Sequence, residues 1–452
     1  MHLLGPARAR RRLMIARLLG VIGLLFTLVV FGAPPASAHV EIISTTPSEG
    51  TRLQAVPPLI SLRLTENIGI QQDSLHVVDE RGTRVDDGPV FQPGEESEVV
   101  GIRLKPGLSS GSYLVTYGFI SADSHPVRGS FAFVVGDGPL LTASGSVSAA
   151  NGTNTTVDVV HTALRWVSFC GLALLGGLLF VLLCRPGGRD DRLVRRVILG
   201  GCAATAVASL VVLLLQGPYV AGQDLTAVTD FGLLGATLKL SYGKLMLLRV
   251  GILAVVGWLA NRLLGPDTPL RPRYENLTMV AGFVVLLTFS ATGHAIADPV
   301  PFFSLAADMA HLGGIVLWIG GLVQIALCLW RPASGEDLAQ VLSRFSMVAF
   351  VSVATIVASG AYLSWRSVAS FSALFTTTYG VLLLIKLAGF ALLLAAANAS
   401  RNAVRRRAIA VDSGGSVATD LRTLRLAVTA EVAIASVVLV LAAILSSTAP
   451  AR

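Results

Sequence analysis

Hydrophobic positions are distributed unevenly along this chain, in three regimes. Near the start, Leu18–Phe31 is one apolar run, preceded by Arg8, Arg10, Arg11, Arg12 and Arg17 and followed by Ala36-Ser37-Ala38. Basic, apolar and small-residue segments in that order predict an export signal over residues 1–38, cut after Ala38. From His39 to Gly138 the pattern changes to short alternating runs, among them Ile60–Leu64, Leu75–Val78, Val99–Leu104, Tyr113–Phe119 and Ser130–Val135. Gly and Pro clusters separate these runs at intervals of about 8–15 residues, which predicts an all-β, immunoglobulin-like sandwich of roughly seven strands over 39–138. Residues 139–156 are rich in Ser, Thr, Gly and Asn and read as a flexible linker.

The third regime, 157–452, holds long apolar stretches near 157–183, 193–215, 242–264, 277–296, 304–329, 342–364, 379–398 and 424–446. Each is long enough to span a bilayer at about 20 residues per helix, so the expectation is an all-α polytopic membrane domain of eight helices. If residue 157 begins outside, the inner connections carry sixteen arginines, whereas the outer ones carry Lys239 and Arg366. Positive charge gathers on the cytoplasmic side, so the β-domain and the C-terminus are expected to be extracytoplasmic in a bacterial inner membrane. The two halves also echo each other. Asp158-Val-Val-His161 opens the first stretch and Asp308-Met-Ala-His311 the fifth. Tyr242-Gly243, Arg249 and Asn261 match Tyr379-Gly380, Lys386 and Asn398 at a constant offset of 137 residues. Four helices per half preserve orientation, which predicts a parallel repeat about an axis along the membrane normal.

Composition narrows the classes. The 452 residues are 53% hydrophobic and 14% charged, against about 25% charged in soluble domains. The net charge of +8 comes from arginines between apolar runs, so it reports topology, and no nucleic-acid partner is expected. Cys170, Cys184, Cys202 and Cys328 all lie in or at the ends of apolar runs, where a thiol is a small apolar residue. No Walker A sequence and no hydrolase motif is present, so the chain is not expected to be an ATPase or another enzyme.

Candidate chemistry gathers in two places. A cut after Ala38 frees the amine of His39, which then chelates together with its own imidazole, a nitrogen set suited to Cu(II). Alone, the plainer reading, that His39 merely follows the cut, outweighs this. Asp123 and His125, two apart between strands, point the same way in an extended segment and can converge on one ion. In the membrane part, His161, His294 and His311, with Asp158 and Asp308, are expected at a similar depth near the outer surface. A carboxylate beside each of two imidazoles orients it toward a metal. Arg249 and Lys386, about 10 Å in from the outer ends, are placed to neutralise Asp158 and Asp308 or to serve transport. Glu431 and Arg165 are further intramembrane charges whose partners the sequence does not name.

The start at His39, Thr46-Pro47-Ser48-Glu49-Gly50, Leu62–Glu66 and Ser121–Gly129 resemble the CopC family of periplasmic copper-binding proteins. That resemblance implies Cu(II) held by His39, Asp123 and His125. No methionine occurs between His39 and Gly138, so the Met-rich Cu(I) site of some members is not expected. Asp308–Leu322, Gly293-His294-Ala295, Tyr242-Gly243 and Tyr379-Gly380 resemble the CopD membrane family. CopC–CopD fusions imply copper import, homeostasis or resistance, with copper ion and lipid as partners and a periplasmic donor or reductase upstream. A second reading stays open: paired histidines in a bundle ligate haem, which would make the membrane part an electron-transfer protein or cupric reductase.

Overall fold

The computed structural model describes residues 42–65, 74–94, 98–120, 126–138, 154–265, 269–297, 301–330, 338–368, 370–412, 417–448 and 450. The export signal, His39, Asp123, His125 and most of the linker lie outside these residues. Among them, eight strands form two four-stranded sheets. They are β1 Ile42–Thr46, β2 Arg52–Leu53, β3 Leu59–Leu64, β4 Leu75–Asp79, β5 Asp86–Phe91, β6 Val99–Leu104, β7 Gly111–Ile120 and β8 Pro126–Val135. One sheet runs β1-β3-β6-β5 and the other β2-β8-β7-β4. Alternation does what the pattern demands: Ile60, Leu62 and Leu64 of β3 face inward with Val100 and Ile102 of β6. Val115, Phe131 and Phe133 of the second sheet meet them in one core. Strands β1, β2 and β5 escaped the sequence reading. The last reads Asp-Asp-Gly-Pro-Val-Phe and is an edge strand, where Pro89 removes no ladder bond that the fold needs.

The helices are α1 Thr155–Leu183, α2 Arg192–Ala221, α3 Phe231–Lys239, α4 Ser241–Leu263, α5 Arg271–Ser290, α6 Pro301–Trp330, α7 Leu338–Ser367, α8 Ala373–Thr376, α9 Thr378–Asp412 and α10 Val417–Leu445. Seven of them, α1, α2, α4, α6, α7, α9 and α10, are long and apolar enough to cross a membrane. Of the eight expected spans, seven meet that measure among the described residues, and α5, which has 20 residues and opens on Arg271, Arg273 and Glu275, does not. Those polar turns dilute the apolar part, and the helix stops at Ser290 rather than running on to residue 296. His294 sits instead on a separate 3₁₀ turn, His294–Ala297.

Local signals explain the helix boundaries. Asn154 accepts from the Thr156 and Val157 amides to cap α1, and Asp191 does the same for Leu193 and Val194 of α2. Helix α2 runs through Pro218 to Gly222, whose left-handed φ of 69° ends it.

Helices α1 and α6 cross through glycine. A Cβ on Gly176 would overlap the carbonyl oxygen of Val316, and one on Gly320 would overlap that of Ala173. Small residues let two backbones approach this closely in a membrane. Gly176→Val is therefore expected to separate the two helices and destabilise the domain by more than about 3 kcal/mol. A thermal unfolding midpoint in detergent that matches the parent protein would refute this.

Candidate functional site

In the β-domain the described frame points to one end. Gly50, just after β1, donates its amide to Ala132 O of β8 at 2.8 Å, so the C-terminal ends of β1 and β8 lie together. The start of β1 and the start of β8 therefore share the opposite end. At that end β7 and β8 close their ladder at Ile120 and Pro126, and the chain passes between them over 121–125. His39 is three residues before Ile42, a reach of about 10 Å at most. His39, Asp123 and His125 themselves lie outside the described residues. His76 is half-buried on β4 opposite Thr116.

Gly129 supports this end. It pairs with Tyr117, and a Cβ on it would overlap the Tyr117 phenol oxygen. The Tyr117 ring stacks on Phe119 at 5.7 Å, and burial, with Glu49 nearby, pushes its phenol above the ordinary value. Gly129→Ala must displace that ring, four residues from His125. We expect the unfolding midpoint of the β-domain to fall by several degrees, the result of about 1–3 kcal/mol of overpacking. Thermal unfolding checks this, and an unchanged midpoint would mean that the ring moves aside at no cost.

In the membrane domain the structure separates residues that the sequence suggested were equivalent. His311 of α6 is half-buried, and its Nδ1 lies 3.1 Å from Ile356 O and 3.2 Å from Ser359 Oγ of α7. A carbonyl can only accept, so Nδ1 carries the proton and the lone pair of the neutral ring is on Nε2. Gly360 makes room for the ring, since a Cβ there would lie 3.0 Å from His311 Cε1. Asp308, one turn earlier on the same face, has the Ser290 hydroxyl and the Lys386 ammonium close enough to act on it. Lys386 thus lies near Asp308, and no ion pair closes between them among the described residues. His294 stands edge-on to Tyr379 of α9, with ring centroids 6.4 Å apart.

His161 of α1 differs. It is 1% exposed and lies flat against Tyr219 of α2, centroids 4.1 Å apart and planes 3° from parallel. Asp158, a turn before it, is half-buried. Arg249, 5% exposed, is not neutralised by Asp158. Its Nη2 donates to Thr288 O at 2.7 Å and Thr292 Oγ1 at 2.6 Å, its Nε to Thr288 Oγ1 at 3.2 Å, and it lies 3.8 Å over the Phe289 ring. Tyr242, Tyr219 and Arg165 share that neighbourhood.

Among the described residues no three His, Cys, Asp or Glu side chains are grouped closely enough to hold a metal ion. Measured from the Gly176–Gly320 crossing, His161 is fifteen residues up its helix and His311 nine, or about 22 Å against about 14 Å. Tyr219, Ser290, Thr288, Thr292, Ser359 and Gly360 were missed by the sequence reading. Thr288 and Thr292 were visible as hydroxyls four apart in an apolar run, but nothing in the sequence tied them to Arg249.

Comparison with known proteins agrees with this two-part plan. Residues 42–136 match the CopC domain family. Residues 156–299 match the copper resistance protein D-like N-terminal domain, and residues 339–445 match copper resistance protein D. The copper transport protein CutJ of Bacillus subtilis (strain 168) is 26% identical over 373 residues, covering 81% of this chain and 68% of that protein. Copper resistance protein D of Pseudomonas syringae pv. tomato is 32% identical over 314 residues, covering 65% of this chain and 97% of the relative. Copper resistance protein C of the same organism is 30% identical over 105 residues, 22% of this chain and 82% of the relative.

Proposed function

Because the chain belongs to the copper resistance protein D family and carries a CopC domain ahead of its membrane part, we propose that it captures Cu(II) outside the cell membrane and passes copper inward. In this reading His39, through its freed amine and imidazole, binds Cu(II) together with Asp123 and His125. The linker over 139–156 keeps the loaded domain close to the membrane mouth, at an effective concentration on the order of millimolar. His311 is the first acceptor there, with Asp308 beside it and Lys386 holding charge balance. His294 and His161, with Asp158, are secondary positions on the path, and Arg249 fixes α4 against α5.

The observation that carries the reading is His311. Its ring is oriented through Nδ1 by the α7 backbone while Nε2 makes no hydrogen bond among the described residues. That is how a metal-ligating imidazole is prepared. The arginine distribution supports placing both ends of the membrane domain outside, with α5 as an eighth crossing packed between α4 and α6. Gly243 and Gly380 support the repeat, since a Cβ on either would overlap a carbonyl of the short helix before it, Thr237 O in α3 or Ala373 O in α8. If Cu(I) is the species that crosses, a separate reductase supplies the electron. The haem reading gains no support from the relatives, whose names speak of copper.

Copper accumulation in cells with and without the gene tests the proposal. Raised cellular copper with the intact protein is expected. Lowered copper would make it an exporter, and no difference would remove the transport reading.

A further inference from the structure

The copper path leaves Glu431 unused. It lies on α10, seven residues in from Leu424, where the apolar span begins, so about 10 Å along the helix. It is 2% exposed, and its Oε1 has no hydrogen-bond partner among the described residues. The Ser400 hydroxyl of α9, also buried, lies beside it. Both line a groove of about 240 Å³ together with Ser346, Asn398 and Arg401.

Among the described residues no charge from the surrounding helices closes on this carboxylate. Arg401 of α9 is the charged side chain that shares the groove, and it is exposed. Helices α6 and α7 contribute Trp318, Leu322 and Phe345, with Ser346 their polar member. Arg425 of α10 is committed elsewhere, donating to Leu329 O at 2.8 Å. Arg344 of α7 reaches Cys184 O at 3.4 Å. Helix α1 touches α10 through Trp166, whose indole donates to Ser436 O at 3.3 Å, and adds no charge to the groove. In the first half the residue corresponding to Asn398 is Asn261, and Arg195 occupies its side-chain oxygen. In the second half Asn398 lines the groove together with Glu431.

A carboxylate held in an apolar span without a cation is costly, and a proton removes the cost without any new partner. We propose that Glu431 is a proton-binding site whose loading is linked to copper movement, an inference that rests on the transporter reading. In the loaded state a new O–H bond forms on the carboxylate from a hydronium ion of the groove. In the unloaded state that bond breaks and the proton returns to water. Linkage has a structural route, because α10 packs against both α1 and α6, the helices that bear the Asp-x-x-His pairs.

Two measurements on the full-length protein in liposomes test this. Dicyclohexylcarbodiimide adds to protonated carboxyls in apolar surroundings. Peptide mass analysis should find it on Glu431 at acid pH, with labelling lost as pH rises and absent in Glu431→Gln. Copper flux should respond to an imposed pH gradient in the parent protein and in Glu431→Asp, and lose that response in Glu431→Gln. A Glu431 that stays unlabelled at every pH, or a gradient response untouched by Glu431→Gln, overturns the proposal. If no form moves copper at all, the transporter reading and the linkage fall together, while labelling still decides the proton site.

Discussion

Replacing His311 with alanine is expected to bring copper accumulation down at least about tenfold, to the level of cells without the protein, while the domain stays folded. The ring is half-buried and held by only one hydrogen-bonding nitrogen, so its removal opens a small polar gap rather than a core cavity. What disappears is an imidazole oriented through Nδ1, whose Nε2 makes no hydrogen bond among the described residues. His161→Ala makes the informative comparison. That ring is buried and stacked on Tyr219, so its loss should lower the unfolding midpoint as well as flux. Accumulation measured beside detergent unfolding curves separates the two. Equal accumulation by the His311→Ala protein and its parent would remove His311 from the path.

The second large effect is expected in the β-domain. His125→Ala, or acetylation of the freed His39 amine, should weaken Cu(II) binding by about 100-fold or more. Losing a ligand exceeds losing a group that merely orients one, and the chelate ring of amine and imidazole cannot form once the amine is blocked. Cupric titration of the mature protein, with zinc as a control, measures this. Because tethering raises local concentration, accumulation by the His125→Ala protein should fall less than its affinity does, and recover when external copper is raised. Cu(II) affinity unchanged in both altered forms would mean that the metal sits elsewhere.

Much of the architecture was legible because periodicity is a strong signal. The period-two runs of β3, β6, β7 and β8 became the sandwich core, and seven of the apolar stretches became candidate spans. Strand β5 was not legible, since an edge strand with Gly88 and Pro89 carries no alternation. Helix α5 was misjudged at both ends because its polar first turns belong to the helix and its apolar tail does not. For the site, sequence placed Asp308 with His311 on one helix face and placed Lys386 near them. It could not show that Tyr219 covers His161, or that Arg249 turns to Thr288 and Thr292. Those contacts join residues far apart in the chain, and only packing decides them.

At the glycine crossing of α1 over α6, main chain meets main chain at Gly176 and Gly320, with no layer of side chains between. The arms above that point are unequal, about 22 Å to His161 and about 14 Å to His311. Any tilt about it would sweep the His161 end through about half again the arc of the His311 end.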